Sequence, residues 1–432
     1  MSTQMDALIN AHLSQVVGLP DVEYTAVIAI GTYQFEALRV IMLTEKQNYV
    51  EDMFEEIMIT VAMTSNQYLK AVNMGHEDMS LTLITKGWET NLTSKRTYRA
   101  ILVNQRDERL EGNMQEVHSL DEADNKSLAV VTLQLIDPAA YNLRLKEIGG
   151  IFRNCDTMSV LKYCLASARL YDVFSKSNAI ASISADDTYQ TATFKSVVIP
   201  EGTKILQLPD FLHNTYGVFN QGMGCYLKNR CWYIFAPYNV LKFEKNVDKL
   251  VLINVPPTKY RSLAANFKLE GKTTTILCTG ETRHMKQTSS EALNLGTGVK
   301  YADTAQLMTK MSNKDGSPKL RPKEYITEYR SSNYMNANNL APMIGYEDNP
   351  AKQASYLAAR GGDYVTLTWE RGTMDVLVPG MPVKFITDDT NGVRVLYGTL
   401  LAAEKLSNAP QGGMVEARHT VTIKLVVFLK SV

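Results

Sequence analysis

One stretch near the middle of the chain, residues 206–237, constrains the fold most. It reads LQLPDFLHNTYGVFNQGMGCYLKNRCWYIFAP. An apolar strand end at Ile205 and Leu206 runs into Pro209, which suits the first turn of a helix because its missing N–H would be unpaired there. Phe211, Leu212 and Tyr216 follow at helical spacing, and Gly217 is the expected stop. The Gly-rich link Gln221-Gly222-Met223-Gly224 then leads to a predicted hairpin, 225–227 and 231–235, with Lys228-Asn229-Arg230 as its turn. Seven aromatic residues lie in this stretch (Phe211, Tyr216, Phe219, Tyr226, Trp232, Tyr233 and Phe235). They predict a local core built on a helix–hairpin unit.

On either side the chain reads mainly as strands. Residues 22–30 alternate, with Val22, Tyr24, Ala26, Ile28 and Ile30 on one side, and a turn at Gly31-Thr32 leads to a second strand over 35–43. Val50, Met53, Phe54, Ile57, Met58 and Val61 recur at three and four, which predicts a helix crossing the sheet, with Asn48 and Glu51 as a capping box. Residues 81–85, 97–103 and 128–136 read as strands. The charged, polar run 104–125 reads as a long exposed loop or hairpin tip. Asp137-Pro138 breaks the pattern. Residues 139–187 are the most helical part. Gly149-Gly150 separates two pieces, and Asp156 caps a helix carrying Val160, Leu161, Cys164, Leu165, Ala168, Tyr171 and Phe174 on one face.

Residues 188–199 return to strand, and from Asn239 onward strands are expected at 250–255, 267–269, 273–278, 364–369, 383–386, 393–400 and 420–429. Asp388–Gly392 (DDTNG) is the strongest hairpin turn of the chain. Residues 280–360 are polar and turn-rich, which suggests an extended arm or a subunit contact. The expected fold class is therefore α+β and β-rich, with two tube-type β-barrel units flanking a helical α+β middle domain. The expected domains are an N-terminal segment 1–20 with a short helix, a first unit 21–138 with one crossing helix, a middle domain 139–238, and a second unit 239–432 with the polar insertion 280–360.

The chain has 432 residues, 45 Lys+Arg and 45 Asp+Glu. A zero net balance lacks the basic excess of a protein that grips nucleic acid through phosphates. The five cysteines (Cys155, Cys164, Cys225, Cys231 and Cys278) include no C-x-x-C pair, so reduced, buried thiols are expected rather than a disulfide framework. The N-terminus lacks a basic region followed by an apolar run, so no signal peptide is expected. No stretch approaches the roughly 18–20 apolar residues of a membrane helix.

Catalytic motifs fail their own tests. Gly271-Lys272-Thr273 resembles part of a phosphate-binding loop. The second glycine the pattern needs is replaced by Asn266, and the residues after it are β-prone rather than helical. Gly296-Thr297-Gly298 reads as a turn. The histidines His12, His76, His118, His213, His284 and His419 have no metal-ligand spacing. Cys225 with His213 is a conceivable thiol–imidazole pair, with burial in the aromatic unit the simpler reading. No catalytic, cofactor-binding or metal-ligating residue is expected, and no cofactor.

The order of parts resembles the central hub protein of contractile-tailed bacteriophage baseplates and the related N-terminal region of type VI secretion spike proteins. Residues 148–174 resemble the helix pair leading into the middle domain of these hubs. Residues 208–219 resemble their short helix, 225–235 the hairpin after it, and 379–383 with Tyr397-Gly398-Thr399-Leu400 the closing barrel. The resemblance covers most of the chain in arrangement, and the segment 280–360 departs from a minimal hub. It implies a structural, non-enzymatic virion protein assembled in the host cytoplasm. It further implies a homotrimer that meets the hexameric tail tube protein on one face and the trimeric central spike protein on the other, among other baseplate proteins. DNA would pass through its lumen without specific binding, and no membrane insertion is implied. The alternatives are another tail-tube or baseplate component, and a cell-wall hydrolase with an unrecognised carboxylate pair.

Overall fold

The computed structural model describes residues 22–73, 79–87, 93–103, 128–170, 182–187, 193–245, 247–257, 267–283, 361–389, 392–409 and 418–430, with Met5, Ala7, Ile9, Ala354, Ser355, Ala358 and Ala359. The expected loop 104–125, Tyr171, Phe174 and nearly all of the expected arm 280–360 lie outside the described residues.

The first third is β1 (Val22–Ile30), β2 (Tyr33–Glu36), β3 (Arg39–Asn48), β4 (Glu56–Thr64), α1 (Ser65–Asn73), β5 (Met79–Gly87), β6 (Thr93–Leu102) and β7 (Leu128–Ile136). The middle is α2 (Pro138–Leu143), β8 (Glu147–Cys155), α3 (Thr157–Leu170), β9 (Ser182–Ala185), β10 (Phe194–Lys204), α4 (Leu208–Tyr216), β11 (Gly224–Lys228) and β12 (Cys231–Phe235). The last part is β13 (Lys249–Asn254), β14 (Phe267–Glu270), β15 (Thr273–Arg283), β16 (Asp363–Glu370), β17 (Pro382–Asp389), β18 (Gly392–Asn408) and β19 (Arg418–Lys430). The fold is β-rich with few helices, as the sequence predicts.

Strand pairing closes into two circuits that share one hairpin. The first runs β1-β5-β6-β7-β4-β3-β18-β19 and back to β1, antiparallel throughout. The second runs β13-β17-β18-β19-β16-β15 and back to β13, with β13 parallel to both β15 and β17. A bulge between Leu400 and Ala402 hands β18 from one circuit to the other: residues before it pair with β17, and residues after it pair with β3. At this step Leu401 O accepts from Tyr49 N at 2.9 Å. A bulge re-aims the strand where pairing changes partner. The first circuit encloses Ile28, Ile59, Val61, Leu81 and Leu133, and the second Trp369, Phe385, Leu367, Ile423 and Leu425.

The middle residues form a separate core around Leu161, Leu165, Val197, Leu212, Phe219 and Trp232. Here, among the described residues, β8 pairs with β10 alone, and β9 lies parallel to β12 in a three-stranded sheet with β11. The helix–hairpin forms as the sequence predicts. Pro209 stands in the first turn of α4, and Gly217, at φ 81°, donates to Leu212 O and His213 O at its end. Four of the seven aromatics of this stretch (Phe219, Tyr226, Trp232 and Phe235) are fully buried.

Three local expectations are corrected. The crossing helix over 50–61 is instead a turn followed by β4, with Ile57, Ile59, Val61 and Met63 buried on alternate positions. Isoleucine, methionine and valine here satisfy periods of both two and three to four. The β-branched residues and the two neighbouring strands, β3 and β7, decide for the strand. The Asn48–Glu51 motif is nonetheless real. Asn48 Oδ1 accepts from Val50 N and Glu51 N at 3.3 Å, and its amide donates to Glu51 Oε2 at 2.8 Å, capping a turn rather than a helix.

The expected helix pair over 148–174 is strand β8 followed by α3. Two adjacent glycines disfavour a helix, and Gly149 lies so close to the Glu201 backbone that a Cβ would fall 2.7 Å from its Cα. Asp156 does cap α3, accepting from Ser159 N at 3.1 Å. Lys228, expected in the hairpin turn, is the buried last residue of β11. The turn is Asn229 and Arg230, both with positive φ (49° and 65°), which fits a tight two-residue connection.

Candidate functional site

The inward face of β3 turns polar as it approaches the shared hairpin. Leu43, Glu45 and Gln47 point inward in alternation and Tyr49 follows, all of them buried. The tip of β11 brings Lys228 to the same place. Its Nζ donates to Gln47 Oε1 at 3.0 Å and to the carbonyls of Met374 and Leu377 at 2.8 Å. Gln47 Nε2 donates to Glu45 Oε1 at 2.6 Å and to Glu55 Oε2 at 3.2 Å, and Tyr49 O–H donates to Gln47 Oε1 at 2.9 Å. Lys405 on β18 stands 3.7 Å from Glu45, and Arg96 on β6 reaches Asp375 at 2.5 Å. Leu227 N donates to Met53 O at 2.7 Å, so the hairpin is also tied to the turn before β4.

Three carboxylates (Glu45, Glu55, Asp375) thus meet three cations (Lys228, Lys405, Arg96) where both circuits and the middle unit come together. Burial, then the charge of Glu45, pushes the Glu55 carboxyl up. Burial pulls the Lys228 ammonium down against the pull of Glu45 and Glu55. Burial also raises the phenols of Tyr49 and Tyr98. Beside the cluster lies a cavity of about 370 Å³, walled by Tyr24, Tyr98, Arg96, Lys405, Met374 and Asp375. Every charged group of the cluster already has a partner of opposite sign or a hydrogen bond. The arrangement therefore locks three chain regions in register, the best-attested use of buried ionic groups.

The tempting sequence pairs fall elsewhere. Cys225 is buried, and burial pushes its thiol well up, so the thiolate a nucleophile needs is disfavoured. His213 Nδ1 accepts from Val218 N at 3.3 Å, which leaves the ring proton on Nε2, 3.5 Å from Ser355 Oγ. An imidazole held in that tautomer cannot take the Ser355 proton. Ser355 Oγ also accepts from Gly222 N at 2.9 Å.

Gly271-Lys272 is the two-residue turn of the β14–β15 hairpin, with Gly271 at φ 58°. His419 Nε2–H donates to Val40 O at 3.1 Å, and its ring lies edge-on to Tyr24. His12, His76, His118, His284 and Gly296–Gly298 lie outside the described residues. Among the described residues no three His, Cys, Asp or Glu side chains gather as a metal site, and no helix is long and apolar enough to cross a membrane. All five cysteines are free thiols.

Sequence reading missed the polar cluster. Its one legible signal was Leu43, Glu45, Gln47 and Tyr49 at period two, which extends β3 beyond the expected end at Leu43 and carries a carboxylate inward.

No protein-family model matches the chain, and no curated protein sequence matches it. Among solved structures, the chain is similar to the tail protein from Neisseria meningitidis MC58, at 11% identity over 94% of this chain and 96% of that one, with a TM-score of 0.44. It is also similar to an E. coli component of the type VI secretion system, described as structurally similar to T4 bacteriophage tail proteins. That match has 8% identity over 94% of this chain and 77% of that one, with a TM-score of 0.42. A prophage tail protein from Listeria monocytogenes matches at 12% identity over 93% and 94%, with a TM-score of 0.36.

Proposed function

We propose that the chain is a structural component of a phage tail baseplate, a homotrimeric hub that joins the hexameric tail tube to the trimeric central spike. The observation that carries this reading is the pair of closed strand circuits meeting at one shared hairpin, with the helix–hairpin unit between β7 and β13 in sequence. Two such units per chain, repeated by a three-fold axis, present six β units to a six-fold partner. Heterologous contacts would close that ring. The units are proposed as 21–138, closed by β18 and β19 of the last part, and 239–432, with the middle domain 139–238 between them in sequence. The balanced charge, 45 Lys+Arg against 45 Asp+Glu, suits a channel that lets DNA pass without holding it. The role is mechanical, without catalysis, and the protein is assembled in the host cytoplasm into the virion.

The test is the native mass of the purified chain, with electron-microscope images of the same sample and of the chain co-expressed with the neighbouring spike and tube proteins. A ring of 3 × 48.3 = 144.9 kDa with an open centre is expected. A chain that stays monomeric even with the spike and tube proteins overturns the reading. A peptidoglycan-clearing assay is expected to show no activity.

A further inference from the structure

In the middle unit, β8 and β10 form a two-stranded ribbon with no third strand on either edge among the described residues. One face packs on the core through Phe152, Val197 and Ile199. The other is open. Ile151 and Val198 stand opposite each other there, 64% and 43% exposed, and Tyr163 of α3 is 62% exposed with its ring 5.8 Å from that of Phe152. Exposed edges with apolar neighbours are templates for strand addition.

We propose that the free edge of β8 pairs antiparallel with β8 of a second copy of this chain, about a two-fold axis at Gly150. The strand is its own complement about that residue. Glu147 and Arg153, both exposed, stand three residues to either side, so each Glu147 meets the other copy's arginine at both ends. Ile148 then faces Phe152 on the core side, and Gly149 faces Ile151 on the other side, where the Glu201 backbone packs against Gly149. Directly opposite charges and apolar pairs are what stabilise such a register. Among the described residues, a Cβ at Gly150 would meet only the Phe152 ring, at 4.0 Å, which leaves space at the axis.

Within the ribbon Glu147 already faces Lys204, whereas Arg153 faces Ser196. The second copy therefore supplies Arg153 with the carboxylate it lacks across the strand. A two-fold contact is isologous and closes at two partners. It is separate from the three-fold contacts of the hub reading and does not depend on them.

Sedimentation of the full chain over a range of concentrations tests the pairing. As concentration rises the wild type is expected to add a species of even copy number, 2 × 48.3 = 96.6 kDa from single chains, or 6 × 48.3 = 289.8 kDa from paired trimers. Glu147→Arg and Arg153→Glu each place like charges at both ends and are expected to weaken that species about tenfold. The double exchange should restore it. Hydrogen exchange on the wild type gives an independent readout: the amides of 147–153 should gain protection as concentration rises. The inference is overturned by the absence of an even species, by a double exchange as weak as either single change, or by an even species that leaves β8 unprotected.

Discussion

The two strand circuits use the same hairpin and fill their interiors differently. The first is antiparallel throughout, and among the described residues β1 meets β19 at Val22↔His419 and Glu23↔Arg418. Its interior is mostly aliphatic, and it ends in a polar cap of Glu45 and Gln47. The second contains parallel pairs on both sides of β13 and closes with long ladders, eight residue pairs between β16 and β19 alone. Its interior holds Trp369 and Phe385. The lesson is that a closed sheet is held both by its ladders and by the side chains packed where its first and last strands meet. In the first circuit His419 and Tyr24 fill the seam, and the Lys228 cluster covers the end.

That contrast can be broken from several sides. The largest expected effects are two. Lys228→Ala removes the donor shared by Gln47 and two carbonyls and leaves Glu45 and Glu55 short of a cation, which should cost about 3–5 kcal/mol in urea unfolding. Trp369→Ala should cost a similar amount, about 3–5 kcal/mol, by opening a cavity in the second circuit. Hydrogen exchange should separate them. The Lys228 change is expected to expose β3 and β11 amides first, and the Trp369 change β15 and β16.

The next effect is in pH. Burial pulls the His419 imidazole down to about 4 from its ordinary 6.5. Between these values the unfolded chain binds the extra proton and the folded one does not. Stability should therefore rise as pH goes from about 4 to about 6.5 and be fully present above that. His419→Phe should flatten this rise in urea titrations at several pH values, and an unchanged slope would remove His419 from the seam. Ile59→Val, in the aliphatic circuit, is expected to cost only about 0.5–1.5 kcal/mol in the same unfolding experiment. The smallest effect belongs to Asp375→Asn. Its bridge to Arg96 joins side chains that are 40% and 63% exposed, so thermal unfolding should move by no more than about 1 kcal/mol.

Much of the strand order was legible because strands buried on one face write their burial into the sequence at period two. β1, β5, β7, β16 and β19 were readable on that ground. The α4 boundaries were legible from Pro209 and Gly217, which act through backbone dihedrals alone. The helix misread over 50–61 shows the limit. Ile57, Met58, Ile59 and Val61 fit two periods at once, and only the strands on either side choose between them. Lys228 shows another limit, since a lysine beside Asn-Arg reads as a turn. Its burial depends on Gln47, Met374 and Leu377, which lie far away in sequence.

The sequence by itself determined the β-rich class, the helix–hairpin unit and the positions of strands such as β1, β7, β16 and β19. These follow from local dihedral preferences and from the alternation of apolar side chains. Tertiary structure alone decided that β18 and β19 serve both circuits, that residues 56–64 are a strand, and that Glu45, Glu55 and Lys228 share one buried site. Partner choice between strands and the pairing of buried charges depend on residues up to hundreds of positions apart. No local pattern of hydrophobicity or charge encodes that proximity.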